Sequence, residues 1–399
     1  MSGVISDNTV RSSGAVAPLS SSTLDASNPA IDTNPTDGVG TKWINTTSGQ
    51  IFICIDATTN SNQWIGQTKT SIQPRCFFAG GNSDDANEHS AGTKINEISY
   101  VSPETLGDAT DFGNLLAINQ YFTGTSNGVN DRGVFGGGSA PGDDSDVIQY
   151  FTCSTLGNTI DFGNLSDGTT QPGACSNGTT DRGMWSGGGI GGIDVATDKI
   201  EYITISSTGN AIDFGNLVQA REYTASLSNG TNDRGINGSG IQNGGSPQLN
   251  EIDYWTISTT GNATDFGNLT NTFMAPGTCS NDTDNRGLFM CGAYGGSYSD
   301  NIDYITINTT GNATNFGDMS GADPAGYPTA SGARGHPGGT GSGLGQRGLL
   351  GGGYTNISGT QSWYKDISYV TISTTGNGTF FGNLLKRVYG PANCDNTFV

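Results

Sequence analysis

Positive charge is scarce in this chain. Lys and Arg number 16 against 36 Asp and Glu in 399 residues, for a formal net charge of −20. A broad basic face for nucleic acid is therefore excluded, because such affinity rests on neutralised phosphates. Histidine is nearly absent: His89 and His336 stand in separate irregular segments. Two imidazoles without matched partners make neither a copper set nor an acid–base pair. No apolar run reaches 18 residues, so no transmembrane helix or membrane insertion is expected. The first 30 residues lack a basic start and an apolar stretch, so no secretory leader is expected, and synthesis in a reducing cytoplasm follows. Cys54, Cys76, Cys153, Cys175, Cys279, Cys291 and Cys394 form an odd set with no C-x-x-C pair. They read as buried thiols, neither a zinc site nor a disulfide framework. There is no D-x-D-x-D-G loop for calcium and no glycine loop leading into a helix to cradle phosphate. No cofactor or metal is expected.

Hydrophobic residues are also few, at 33%, a level that suits disorder. Yet 16 Phe, 14 Tyr and 5 Trp argue for a packed structure. The 64 glycines follow no G-X-Y period, so collagen is excluded. Glycine and β-branched residues together favour strands and turns over helices.

An internal repeat dominates the chain. Its first element runs from Arg to Gly, as in RGVFGGG from Arg132. The arginines are Arg75, Arg132, Arg182, Arg234, Arg286 and Arg347; the glycines six residues on are Gly81, Gly138, Gly188, Gly240, Gly292 and Gly353. The second element centres on Tyr100, Tyr150, Tyr202, Tyr254, Tyr304 and Tyr369, as in DNIDYIT. The third reads DFGNL or a near copy, with Phe112, Phe162, Phe214, Phe266, Phe316 and Phe381. Tyr and Phe both recur at spacings of 50, 52, 52, 50 and 65 residues. Each element has strand composition, and Ser-Thr-Thr-Gly-Asn between the second and third reads as a tight hairpin. A fourth segment of small residues ending in Ser-Asn-Gly precedes most of the arginines. Four strands per repeat make a meander of the propeller-blade type, whose faces are buried only against neighbouring copies.

The register predicts how the ends meet. Arg75 has no small-residue segment before it, whereas the tail GPANCDNTFV matches that segment without an Arg element after it. The segment from Pro391 to Phe398 is expected to pair with the strand near Arg75 to Gly81. The six arginines, being repeat-placed, are expected to bond carboxylates or carbonyls of their own repeat, with Asp111, Asp161, Asp213 and Asp265 as partners. Gly321 to Gln346 is an insertion too glycine-rich for regular structure.

The order of small strand, Arg…Gly-Gly strand, Ile-x-Tyr strand and aromatic strand resembles kelch-type repeats over residues 75–399. It departs from them in ending on Phe-Gly-Asn where they usually place Trp. The wording RGVFGGG, IDYITI and GNATDFGNL is similar to propeller repeats in structural proteins of tailed bacteriophages of marine bacteria. Residues 34–65 look like a short β-module of phage tail-fibre and virion proteins. The resemblance implies an all-β chain: a flexible N-terminal attachment arm (1–33), a small β-module (34–70) and a six-bladed kelch-like β-propeller (71–399) closed by a C-terminal strand. It implies a non-enzymatic virion protein of tail-fibre type. Its partners would be other virion proteins, reached through the arm, and a host surface glycan or protein, with homo-oligomers in the particle. A capsid or baseplate decoration role and a propeller-type glycan-degrading enzyme are the alternatives.

Variation points to the binding face. Connections between the Arg and Tyr strands differ from copy to copy, while the Ser-Thr-Thr-Gly-Asn hairpins of the opposite face are nearly uniform. Variable loops on a rigid scaffold carry recognition. The candidate contacts are Asp143, Asp144, Asp146, Tyr294, Tyr298, Tyr354, Trp363 and Tyr364. The aromatics among them are of the type that stacks on sugars and also serves protein contacts. Asp84–Asp85 and the Asp143 cluster read as solvated loops.

Overall fold

The computed structural model describes residues 22–396 except 28, 31, 47–50, 68–73, 84–91, 129, 142–143, 179, 192–194, 229, 231, 282–284, 295, 321–331, 342–345 and 358–359. The chain is all-β: among the described residues the one helical element is the 3-10 turn Asn243–Gly245. It divides into two compact units, Met1–Gln73 and Pro74–Val399.

The first unit is a four-stranded sheet of Ser22–Asp25, Lys42–Asn45, Ile51–Asp56 and Gln63–Gln67, in that order. The first pair is parallel and the others antiparallel. Trp43 and Trp64 meet edge to face at 5.9 Å on one side of it. Ser22–Asp25 lies in the stretch expected to be a flexible arm; backbone pairing with Lys42–Asn45 makes it a strand instead.

The second unit contains six antiparallel sheets of four strands. The sheet of the second repeat is representative: Thr123–Thr125, Arg132–Gly136, Val147–Thr152 and Ile160–Asn164, from inner to outer edge. The other inner strands are Gly173–Cys175, Ala225–Leu227, Gly277–Asn281, Gly338–Gly341 and Ala392–Asp395. The last comes from the far end of the chain and pairs with Cys76–Ala79, Ala392 opposite Ala79 and Asp395 opposite Cys76. Gly338–Gly341 corrects the expectation for the insertion at 321–346. Its glycines form a fully buried inner strand, since lack of side chains suits the crowded edge where inner strands approach one another.

The DFGN element has a specific geometry. Gln149 pairs with Asp161 and Ile148 with Gly163, so Phe162 is the extra residue of a β-bulge. The same shift recurs in the other five sheets. A bulge re-aims a side chain. Here it turns Phe162 inward, 3% exposed, and leaves Asp161 outside.

The hydrophobic cores lie between sheets. Val134, Ile148, Phe162 and Leu165 of one sheet pack with Trp185, Ile203 and Ile205 of the next. Five further clusters repeat this, and the last joins Leu349, Ile367, Phe381 and Leu384 to Cys76, Phe78 and Val101. Cys175, Cys279 and Cys394 fall in three different clusters as buried free thiols.

The repeat arginines bridge sheets, which corrects the expectation that they bond within their own repeat. Arg132 Nη1 donates to the Ile205 carbonyl at 2.8 Å, in the following sheet. Arg75, Arg182, Arg234 and Arg286 donate likewise to Cys153, Ile257, Ile307 and Ile372, and Arg347 to Pro103, at 2.6–2.9 Å. Each guanidinium also lies over the Tyr of its own sheet, 4.5–4.9 Å from the ring centre. Asp111, Asp161, Asp213 and Asp265 are exposed and none is ion-paired to these arginines. A carbonyl already aligned on the neighbouring sheet is within reach of the stacked guanidinium; an outward carboxylate on the bulged strand is not.

Candidate functional site

Each inner strand is entered through one residue in the left-handed region: Tyr121, Gln171, Tyr223, Ala275, His336 and Gly390, with φ from 50° to 64°. Non-glycine residues there are strained and persist only where their surroundings hold them. Four are followed by proline, which fixes the next φ. Backbone bonds link the entries to one another: Tyr121 N–H donates to Gly390, Gln171 to Tyr121, Ala275 to Tyr223 and Gly390 to His336, at 2.6–3.2 Å. Five of the six repeats thus bring one side chain each, and the sixth the bare Gly390, to the place where the inner strands converge, on the side that carries the variable loops.

Aromatic rings fill that place. His336 lies 5.3 Å from both Tyr121 and Tyr223 and stacks on Tyr354 at 5.6 Å, with an interplanar angle of 26°. Tyr389 touches Tyr121, Tyr354 and Trp363, and Tyr298 meets Tyr354 edge to face at 5.0 Å. Such pairs contribute roughly 0.5–1.5 kcal/mol each beyond their burial. His336 is 6% exposed, and burial among rings holds its imidazole down at about 4, so it is neutral at pH 7. Burial pushes the Tyr121 and Tyr354 hydroxyls up, with neighbouring tyrosines adding to the shift.

Two buried ion pairs set the backbone of this cluster. Arg334, two residues before His336, has no exposed surface and meets Asp366 at 2.9 Å. Its other donors reach the Gly332 and Gly352 carbonyls, and its guanidinium lies 4.1 Å from the Tyr364 ring centre. Arg221, two residues before Tyr223, meets Asp253 at 3.1 Å and donates to the Glu251 carbonyl. A charge buried this deeply persists only when paired and hydrogen-bonded. Both arginines are therefore fixed points from which Tyr223 and His336 project.

A cavity of about 80 Å³ opens among the strand entries, lined by Tyr121, Gln171, Tyr223, His336, Thr123 and the four prolines among others. Among the described residues no charged side chain lines it. The His336 imidazole has no hydrogen-bond partner among the described residues, and Thr123 Oγ1 is buried without one. At the other end of the inner strands lies a cavity of about 130 Å³ lined by Ser126, Asn127, Thr278, Ser280, Thr340 and Asp395 among others. Among the described residues no group of three or more His, Cys, Asp or Glu is placed to hold a metal.

The sequence-predicted contacts separate. Tyr298 and Tyr354 join the aromatic cluster. Tyr294 is 53% exposed at the tip of the hairpin formed by Arg286–Tyr294 and Ser297–Thr306. Asp144 and Asp146 are half-buried in the second repeat's loop, and Asp143, like His89 and Asp84–Asp85, lies outside the described residues. Trp363 and Tyr364 are buried, at 7% and 2% exposure. Trp363 packs on Tyr389, and Tyr364 covers Arg334 with its hydroxyl donating to the Ala333 carbonyl.

Sequence reasoning passed over Tyr121, Tyr223, His336 and Tyr389. The chain does carry a signal for the strand entries. Within an otherwise uniform frame, the residue two before each small-residue strand reads Tyr, Gln, Tyr, Ala, His and Gly, as variable as any loop. No protein-family model matches the chain, and none of the curated proteins matches it.

Proposed function

We propose that residues 74–399 form a closed six-bladed β-propeller serving as a non-enzymatic binding scaffold in the virion of a tailed bacteriophage, of tail-fibre type. Residues 1–70 are its attachment region. Support for the ring comes from three sets of contacts that each return to their start. The inner strands neighbour one another in sequence order, with Ala392–Asp395 beside both Gly338–Gly341 and Thr123–Thr125. The shared cores and the arginine bridges run through the same cycle. Support for the virion assignment is the likeness of the repeat and of residues 34–65 to phage structural proteins.

The observation that carries the binding role is the contrast between the two faces. Side chains from different repeats meet at the strand entries beside the variable loops. The uniform hairpins of the other face are taken up by joints between sheets: Asn158 Oδ1 accepts from Asn114 N–H at 2.9 Å, and five equivalents repeat it. Uniformity there has a structural cause, so the variable face is left for recognition.

Antibodies raised against residues 74–399 test the assignment on purified particles. Gold label on tail fibres, with adsorption of labelled full-length chain to host cells, is the expected result. Label confined to the head would turn the reading into a decoration protein; absence of label from intact and opened particles would end it.

A further inference from the structure

We infer that the cavity at the convergence of the inner strands is a binding site for the uncharged pyranose end of a glycan, with His336 and Gln171 supplying hydrogen bonds and Tyr121 and Tyr223 supplying ring faces. This rests on the reading of the variable side as the recognition face and names its ligand class.

The argument begins with what the site lacks. The nearby cations, Arg221 and Arg334, are both consumed by buried carboxylates. Among the described residues no charged side chain lines the cavity. A sialic acid, a uronic acid or a phosphate would enter without a counter-charge, on a chain of net charge −20. An anionic ligand is disfavoured twice over.

What the site has is aromatic side chains beside polar ones. His336 is more than nine-tenths buried, lines the cavity and has no hydrogen-bond partner among the described residues. Its ring nitrogens are not sealed from solvent, so a ligand hydroxyl can take the place of water as their partner. The Gln171 side chain is half-buried at the same rim and offers both a donor and an acceptor. A pyranose has the matching surface: an axial C–H face that lies on an aromatic ring and hydroxyls that both donate and accept. The neutral imidazole can do either, according to which nitrogen carries the proton. The entries are held in left-handed geometry by their mutual backbone bonds and by the two buried ion pairs, so the site is preorganised and loses little entropy on binding.

The test uses the full-length chain, whose two histidines give two resolvable imidazole C–H resonances. Methyl α-D-glucopyranoside, methyl β-D-galactopyranoside and methyl α-D-mannopyranoside are titrated in turn, with glucuronic acid and a proline-rich peptide as comparators. At least one neutral glycoside should shift the His336 resonance, identified by its loss in His336→Phe, and leave the His89 resonance in place. Gln171→Ala and Tyr223→Leu should each weaken that glycoside by about tenfold, the usual effect of one lost buried contact, with melting unchanged. Glucuronic acid or the peptide binding more tightly than every neutral glycoside would overturn the inference, as would no shift of His336 with any glycoside. Washed cells against the polysaccharide they shed separate a wall-bound source from a secreted one. If His336→Phe still adsorbs to cells as the native chain does, the pocket assignment falls while the binding-face reading stands. If glycosides bind but particles and cells are not recognised, the binding-face reading falls and the pocket stands.

Discussion

A buried histidine titrates against its surroundings, and His336 does so in a direction that fixes a pH dependence. Its folded value of about 4 lies below the ordinary 6.5. The unfolded chain therefore takes up the proton first, so stability is full above about 6.5 and declines as pH falls towards 4. The loss is on the order of 3 kcal/mol. Urea unfolding at pH 7 and pH 4.5 should show it, and His336→Phe should reduce the difference; an equal decline in both proteins would remove His336 as its cause. Asp366 tests the ion pairs. Asp366→Asn leaves Arg334 buried without a counter-charge and should destabilise the protein by roughly 3–5 kcal/mol, read as a lowered urea midpoint. The repeat arginines are less buried; Arg182 bonds the Ile257 carbonyl and lies over the Tyr202 and Phe214 rings. Arg182→Ala should remove about 1–3 kcal/mol, seen in thermal melting followed by circular dichroism.

The bulged outer strand is the element that joins one sheet to the next. Phe162 leaves the ladder and enters the shared core, and Gly163 follows at φ 151°, a conformation that side-chain-bearing residues rarely adopt. A Cβ on Gly163 would run into the carbonyl of Gly209 in the next hairpin. Gly163→Ala should therefore destabilise by about 1–3 kcal/mol or more through overpacking, whereas Gly157→Ala, where a Cβ meets open space and φ is not left-handed, should have little effect. Paired thermal melts decide it, and equal melts would refute the joint. The strands themselves were legible in the chain because their evidence is local: alternating β-branched and aromatic residues, and Gly-Asn turns between them. The bulge was not, because DFGN reads as an ordinary strand until its partner register is known.

At the scale of the whole molecule the last strand and the first strand of the second unit share one sheet, Ala392–Asp395 beside Cys76–Ala79. Ala392 and Cys394 also sit in the core between the first two sheets. A chain ending at Gly390 would expose the edge of Cys76–Ala79 and open that core, and exposed edges template aggregation. Size-exclusion chromatography should show aggregates for the truncated chain. A monodisperse product with unchanged melting would count against ring closure. Removing the other end should be tolerated, because Pro74–Val399 is compact by itself. A chain beginning at Pro74 should keep the melting transition of the second unit and, under the proposed virion role, lose incorporation into particles.

Strand content, the order of strands within a repeat, the six copies of the motif and the match between tail and first repeat are all written in the chain. All of these follow from patterns a few residues long, repeated. Tertiary structure decided what lies between repeats. Arg132 bonds a carbonyl 73 residues on, and Arg347 one 244 residues back, so composition near either arginine names no partner. Tyr364 and Trp363 look like loop aromatics in the chain, yet the loop folds them under the surface onto Arg334 and Tyr389. The site is the clearest case. His336 stands alone in a glycine-rich segment, and only the convergence of inner strands places Tyr121 and Tyr223 at 5.3 Å from it. A repeat sets the conformation of each copy locally, while the side chains that meet at the strand entries come from different copies and acquire neighbours only when the sheets pack against one another.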